Sequence, residues 1–301
     1  METLQRSRGN SGAAATLAIV VASLFVIALS GCGSSASSEE SSPELQAALS
    51  GYRDYLRENA AELTRRLERM QELIEEETGK EPTPRVEPVY AGSRVPYGHI
   101  DSFVQVYPAL QRGIDGLEEE VPPDEYGGFH KIEKQIFWQE VTSEMAPVGE
   151  QLAADLETLR GRIDSADLEP AQLVGGAART VDGIVANAFP GDAERWSHLD
   201  MLDAGAKTEG AEEAFAAVKP LLAAENPELT RQIKARFEKA LDAVGEYGTL
   251  ARDSDPAEPL RAGTSFVIYD QVTQDKRWEI AAPFKELSDL LAQAEAELGD
   301  S

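Results

Sequence analysis

The sequence predicts an all-α protein, and three observations carry that reading. Apolar residues recur at spacings of three and four over long windows, proline- and glycine-bearing segments punctuate those windows, and no strand–helix alternation of the βαβ kind is present. With 301 residues the chain is long enough for one large domain or two small ones with a substantial core. Its 54 acidic residues against 28 basic ones give a net charge of −26. A field of that sign repels nucleic acid and anionic headgroups and attracts cations, so DNA or RNA binding is excluded as a function class.

The first 31 residues read as an export signal. Arg6 and Arg8 lie in a short basic region, and an apolar run from Ala13 to Leu29 follows. The only cysteine, Cys32, stands directly after Leu29-Ser30-Gly31. This arrangement resembles the lipobox at which bacterial lipoprotein precursors are cleaved and lipidated, which makes Cys32 the expected lipidation site. An uncleaved single-pass anchor and an ordinary secreted form are the competing readings. Residues 32–42 then form a flexible polar tether, and residues 43–301 the folded domain. With Cys32 acylated no thiol remains for a disulfide, so packing alone must hold the fold.

Within the domain, Pro43 opens a helix to about Thr78 in which Leu56, Ala60, Leu63, Leu67, Met70 and Ile74 form one apolar stripe. Gly79, Pro82 and Pro84 stop it, which favours a turn back into a bundle. A second helix is expected from Val89 to about Leu117, kinked near Pro96 or Pro108. A third runs from Gly127 to about Ala146, with Pro147 as a break before a fourth through Ile163. Further helices are expected over Ala171–Ala188, Thr208–Ala224, Glu228–Tyr247, where Leu229, Ile233, Phe237, Leu241 and Val244 share one side, and Asp275–Leu298. The β-rich run Thr264–Tyr269 is demoted, because a lone strand has nothing to pair with.

Two stretches concentrate chemistry. In Gly128-Phe129-His130-Lys131-Ile132-Glu133, a histidine and a carboxylate stand three apart and so share a helix face, which is half of a metal site. Without further support a solvated i, i+3 pair explains them equally well. In the second stretch Glu194, Trp196, His198 and Asp200 crowd into seven residues after the Pro190-Gly191 break. There His198 has two readings, a ligand or an interior histidine bonded to a carboxylate.

Taken with Tyr90-Ala91-Gly92-Ser93-Arg94-Val95-Pro96-Tyr97 and Ile100-Asp101, these segments resemble the imelysin-like family in order and spacing, in particular its EfeO/EfeM branch, also called M75 peptidase-like. The resemblance runs from about Pro43 to the C-terminus. It implies an imelysin-like helical bundle of two related antiparallel halves, exported and associated with iron uptake. It also implies a metal site on His130 and Glu133, with Asp101, Asp115, His198 and Asp200 as further members and Glu194 and His99 as possible additions. Where the family often carries Tyr-Glu-x-x-Glu, this chain reads Tyr97-Gly98-His99-Ile100-Asp101, so one carboxylate is missing. Either His99 supplies nitrogen in its place, or the site is weaker or tuned to another metal. On one straight helix Asp101 and Asp115 would lie about 21 Å apart, so they share an ion only if the helix bends near Pro108 or Gly113.

Carboxylates with one or two imidazoles and no thiolate suit iron, manganese, zinc or copper; iron is favoured by the resemblance alone. No HExxH or G-x-S-x-G motif is present and the sole cysteine is the lipid site, so metal binding ranks above peptidase chemistry and no catalytic residue is assigned. The expectation is a cell-membrane-anchored, outward-facing protein that captures iron for a membrane iron permease. An M75-type metallopeptidase and an anionic-polysaccharide-binding surface protein are the alternatives.

Overall fold

The computed structural model describes residues 42–77, 85–139, 144–245, 247, 269 and 272–300. The signal, the tether, Cys32 and residues 264–268 of the β-rich run lie outside them. Among the described residues the architecture is a helical bundle without strands, as the periodicity predicts. Its helices are α1 (Pro43–Glu77), α2 (Val86–Val104), α3 (Pro108–Asp115), α4 (Gly128–Lys134), α5 (Met145–Ser165), α6 (Pro170–Gly183), α7 (Asp200–Glu225), α8 (Pro227–Gly245) and α9 (Gln274–Asp300). Single π-helical turns, Gln135–Gln139 and Ile184–Ala188, extend α4 and α6. No described helix is long and apolar enough to cross a membrane.

The stripe predicted for α1 is fully buried from Leu56 to Ile74, and α1 packs against α2, α5 and α7. A second group is formed by α6, α7, α8 and α9. Neighbours run antiparallel where paired residues show it: Asn59 meets His99 and Arg66 meets Gly92 across α1 and α2, while Gly175 meets Glu295 and Ala171 meets Gly299 across α6 and α9. The two groups are joined by α2 and α7, which touch nearly backbone to backbone. A Cβ on Gly98 would lie 2.7 Å from Ala206 Cβ, and one on Gly210 would lie 2.5 Å from the Gly98 carbonyl oxygen. Small residues are what allow two helices this close.

Several boundaries differ from the periodicity reading, each for a local reason. The helix expected over Val89–Leu117 is two helices: α2 ends at Val104 and α3 restarts with Pro108 in its first turn, where a proline needs no N–H partner. Pro96 stays inside α2. Pro147 starts no new segment, because it lies in the first turn of α5. Helix α7 begins eight residues before the expected Thr208, at Asp200, and carries Pro220 without ending. In α8, Ala240 is buried and Leu241 only half-buried, and Asn226 caps the helix by accepting a bond from Leu229 N at 3.0 Å.

Candidate metal centre

The start of α4 is built for close approach. Gly128 has φ +63, and a Cβ there would lie 2.2 Å from the Ile114 carbonyl oxygen, so only glycine fits both the backbone angle and the space. This contact seats α4 on the end of α3. His130 is thereby brought to Asp115, with Nε2 3.3 Å from Oδ1, while Nδ1 lies 3.1 Å from Glu133 Oε2. The shared face predicted for His130 and Glu133 is thus present, and it is buried.

Glu133 uses its other oxygen to organise the Glu194–Asp200 loop. Its Oε1 accepts from Trp196 N and Ser197 N at 2.8 Å and lies 3.0 Å from Ser197 Oγ. Ser197 Oγ is also 2.9 Å from Glu194 Oε2, which Tyr90 OH reaches at 3.1 Å. Asp200 opens α7 and accepts from Glu194 N at 3.1 Å, while its Oδ2 is buried without a hydrogen-bond partner.

At the middle of these carboxylates stands Arg94, whose side chain is 0% exposed. It bonds Asp115 through Nη1 at 2.5 Å and Asp203 through Nη2 at 2.7 Å, and its Nε lies 2.8 Å from Glu194 Oε1. Because Nε also donates to Asp203 at 3.1 Å, the Glu194 contact is one of charge and Glu194 Oε1 receives no directed hydrogen bond. The rings of Tyr97 and Phe129 flank the guanidinium at 5.0 and 4.9 Å. Lys207 adds a second cation, 3.0 Å from Asp115 and 2.8 Å from Asp203.

These neighbours set the protonation of the cluster. Burial works against the charge of Asp115, but Arg94, Lys207 and His130 outweigh it and hold its carboxyl well below the usual range. Burial likewise opposes a charged His130, and Asp115 and Glu133 overcome it, raising the imidazole. Burial pushes Glu194 up to about 8 despite Arg94, with Glu133 and Asp203 adding repulsion. Asp200 is pushed up to about 7, again chiefly by burial. Buried carboxylates of this kind hold protons that an entering cation would displace.

Asp101 joins from the far side. It takes bonds from Tyr97 OH at 3.0 Å and Thr180 Oγ1 at 2.7 Å, and burial raises its pKa. Asp101, Asp115, His130, Thr180, Asp203 and Lys207 together line one cavity of about 60 Å³, room for a few waters or a partly hydrated ion. The break between α2 and α3 is what lets Asp101 and Asp115 face this common space. His198 belongs to the Glu194–Asp200 loop: it is a left-handed residue, φ 57, whose backbone N donates to the Glu194 carbonyl at 2.8 Å and whose carbonyl accepts from Tyr269 N at 3.1 Å. His99 is on the other face of α2, bonded to Asn59 and Glu209. No carboxylate fits at Gly98, because α7 occupies the space.

As the side chains stand, no group of three His, Cys, Asp or Glu among the described residues encloses a metal position. The space between the carboxylates is taken by Arg94 and Lys207. Sequence reasoning quoted Arg94 without giving it a role, and it passed over Asp203 and Lys207. The signal for the latter pair was their i, i+4 spacing, hidden by placing the start of α7 at Thr208.

A family model described as imelysin, Peptidase_M75, matches residues 48–294. The iron uptake system component EfeO of Escherichia coli strain K12 is 29% identical over 215 residues, which cover 70% of this chain and 54% of that protein. A protein of the same name from Shigella flexneri matches to the same extent. The chain therefore spans about half the length of the curated relatives it matches.

Proposed function

Because this chain belongs to the imelysin family, we propose that it is an iron-uptake component, whose metal-capturing centre is the cluster around His130, Asp115 and Glu133. The observation that carries this reading is the meeting of His130 with Asp115 beside the 60 Å³ cavity. One imidazole and several carboxylates, with no thiolate, form a hard donor set suited to iron, and also to manganese, zinc or copper. The name of the similar Escherichia coli and Shigella proteins, iron uptake system component, favours iron as the cargo.

The cargo enters from the cavity side. It takes Asp115 and His130 as first ligands, with Asp101 and Asp203 within the same space, and Lys207 swings away from the two aspartates to admit it. Arg94 stays as the fixed counter-charge, since its side chain has no exposed surface. Glu133 holds both the imidazole and the Glu194–Asp200 loop, and so ties that loop to the site. Asp200 and Glu194 act as proton-bearing neighbours, and His198 is carried on the same loop. On this reading the protein is exported, held at the cell membrane by a lipid on Cys32 and the 32–42 tether, and delivers its metal to a membrane permease.

The test is metal titration by calorimetry of the chain from residue 43 onward, beside His130→Ala and Asp115→Asn. Wild type binds iron, and each variant weakens binding by about 100-fold or more, since even supporting residues around metals cost 10- to 100-fold. Wild-type binding no tighter than that of both variants would refute the assignment. A metal-dependent peptide cleavage lost in Glu133→Ala would replace it with the peptidase reading.

A further inference from the structure

Helix α2 carries two polar faces. Arg94, Tyr97 and Asp101 look into the cluster described above, while Gly92, Val95, Pro96 and His99 line a separate cleft of about 670 Å³ between α1, α2 and α7. That volume is within the range of small-molecule sites. Buried at the edge of this cleft is Arg66, its side chain 9% exposed. Its Nε pairs with Glu62 at 2.6 Å, and its two terminal amino groups have no partner among the described residues.

Glu62 cannot satisfy this wall alone, because it also takes Arg65 at 2.8 Å. One carboxylate therefore faces two guanidinium groups, leaving a positive excess. Glycine at residue 92 lets the guanidinium lie against α2, since a Cβ there would lie 2.3 Å from Arg66 Nη1 and push it aside. These amino groups are not sealed inside the protein; they open onto the cleft, where an entering ligand can meet them. A planar fork of N–H donors suits a carboxylate.

The opposite end of the cleft has the reverse sign. About two turns before Arg66 on α1 stands Glu58, and α7 contributes Glu209 and Glu213. Glu209 is fixed by His99 Nε2 at 2.9 Å, and His99 in turn by Asn59 at 2.8 Å. Between the ends, the Tyr55 and His99 rings, with centroids 6.0 Å apart, and Val95 and Pro96 form a less polar wall. Gly92 and His99 are seven residues apart on α2, so the two ends are separated by about 10 Å. An extended peptide of three residues spans about that length.

We propose that this cleft binds a short zwitterionic peptide of about three residues, its C-terminal carboxylate on Arg66 and its N-terminal ammonium at Glu209 and Glu213. The test is calorimetric titration of the full chain with tri-alanine, with the same peptide acetylated and amidated, and with glutarate and spermidine as single-charge-type controls. Free tri-alanine binds, and blocking both ends weakens binding at least tenfold, as do Arg66→Met and Glu213→Gln. Gly92→Ala has the same effect by displacing the guanidinium. Should Arg66→Met lose its helical circular dichroism, Glu213→Gln at the exposed wall decides. Absence of tri-alanine binding, equal binding of the blocked peptide, or tighter binding of either control than of tri-alanine would overturn the proposal.

Discussion

Replacing Arg94 by methionine is the most informative single perturbation of this fold. Methionine keeps an unbranched stem of similar reach against Tyr97 and Phe129, so the main loss is charge and hydrogen bonds. Three buried carboxylates, Asp115, Asp203 and Glu194, then lose the guanidinium that contacts all of them. Removing one partner of a buried ion pair costs about 3–5 kcal/mol, because the remaining charge is left desolvated. Lys207 still reaches Asp115 and Asp203, which sets the expectation within that range and not above it. For a domain of this size the loss corresponds to a melting temperature lower by roughly 6–20 °C. The sign of its pH dependence follows from Asp115, whose folded pKa is depressed with Arg94 the leading cause. That contribution is complete above the unfolded carboxylate pKa near 4 and is lost as pH falls below it towards the folded value, so the deficit of the variant is level from pH 7 to pH 5 and shrinks towards pH 3 and below. Urea and thermal unfolding at pH 3 and pH 7 measure it. Arg57→Met provides the control, since the Arg57–Asp164 pair is 48% and 63% exposed and solvent screening leaves it little to contribute, so its loss leaves the unfolding midpoint essentially unchanged. A variant within 1 kcal/mol of wild type at pH 7, or a deficit equal at the two pH values, would refute the view of Arg94 as the internal counter-ion.

Three further outcomes are expected. Asp200 has a folded pKa raised from 3.8 to about 7, so the stability it allows is complete below pH 4 and is lost as pH rises to 7; Asp200→Asn flattens the wild-type decline, by at most about 1.4 kcal/mol per pH unit, and urea midpoints at four pH values from 5 to 8 that keep the wild-type slope would contradict this. Lys207→Met removes a cation from the cavity and tightens metal binding at least about tenfold, since like charges a few Å apart repel by several kcal/mol at an effective dielectric near 20; weaker binding in the same titration would show that Lys207 assists the metal. Gly98→Glu places its Cβ 2.7 Å from Ala206 Cβ and 2.8 Å from the Lys207 backbone nitrogen, so it destabilises by about 1–3 kcal/mol or more without improving metal affinity, and normal stability with tighter binding would sink that account.

What could be read from the sequence was what repeats or stands close in the chain. The α1 stripe, Leu56 to Ile74, announced itself by period, because a helix with one buried side leaves that signature. His130 and Glu133 were legible as a pair, since three residues on a helix fix their relation before any tertiary contact forms. Asp203 and Lys207 obey the same rule but were missed, because α7 opens without a conventional cap: Leu199 makes no side-chain capping bond, and Asp200 instead bonds back to Glu194 N. Gly98 illustrates the deeper limit. In one sequence it looked like the loss of a carboxylate, whereas the structure makes it the contact point of α2 with α7, and only the partner helix reveals that. For Asp101 and Asp115 the sequence left two cases, about 21 Å apart on a straight helix or closer on a bent one, and the break between Val104 and Pro108 selects the second.

Arg94 and Lys207 also bear on how such a centre would discriminate between cations. The strongly acidic chain raises the local concentration of every cation, and salt screens that effect over about 10 Å. Inside the cluster the balance is different, because Asp115 and Asp203 already face a guanidinium and an ammonium. A monovalent ion arriving there offers no more charge than Lys207 supplies, and it brings no directed bonds to His130. A multivalent metal offers both, and it can also displace the protons held by Glu194 and Asp200. Such a centre would reject sodium and potassium even in excess, and its affinity for iron would rise with pH as Asp200 and Glu194 ionise. Titrations at pH 6 and pH 8 in 0.5 M NaCl separate the two effects. Added salt weakens the surface attraction at both values, while an affinity that did not rise between them would show that these two carboxyls take no part in holding the metal.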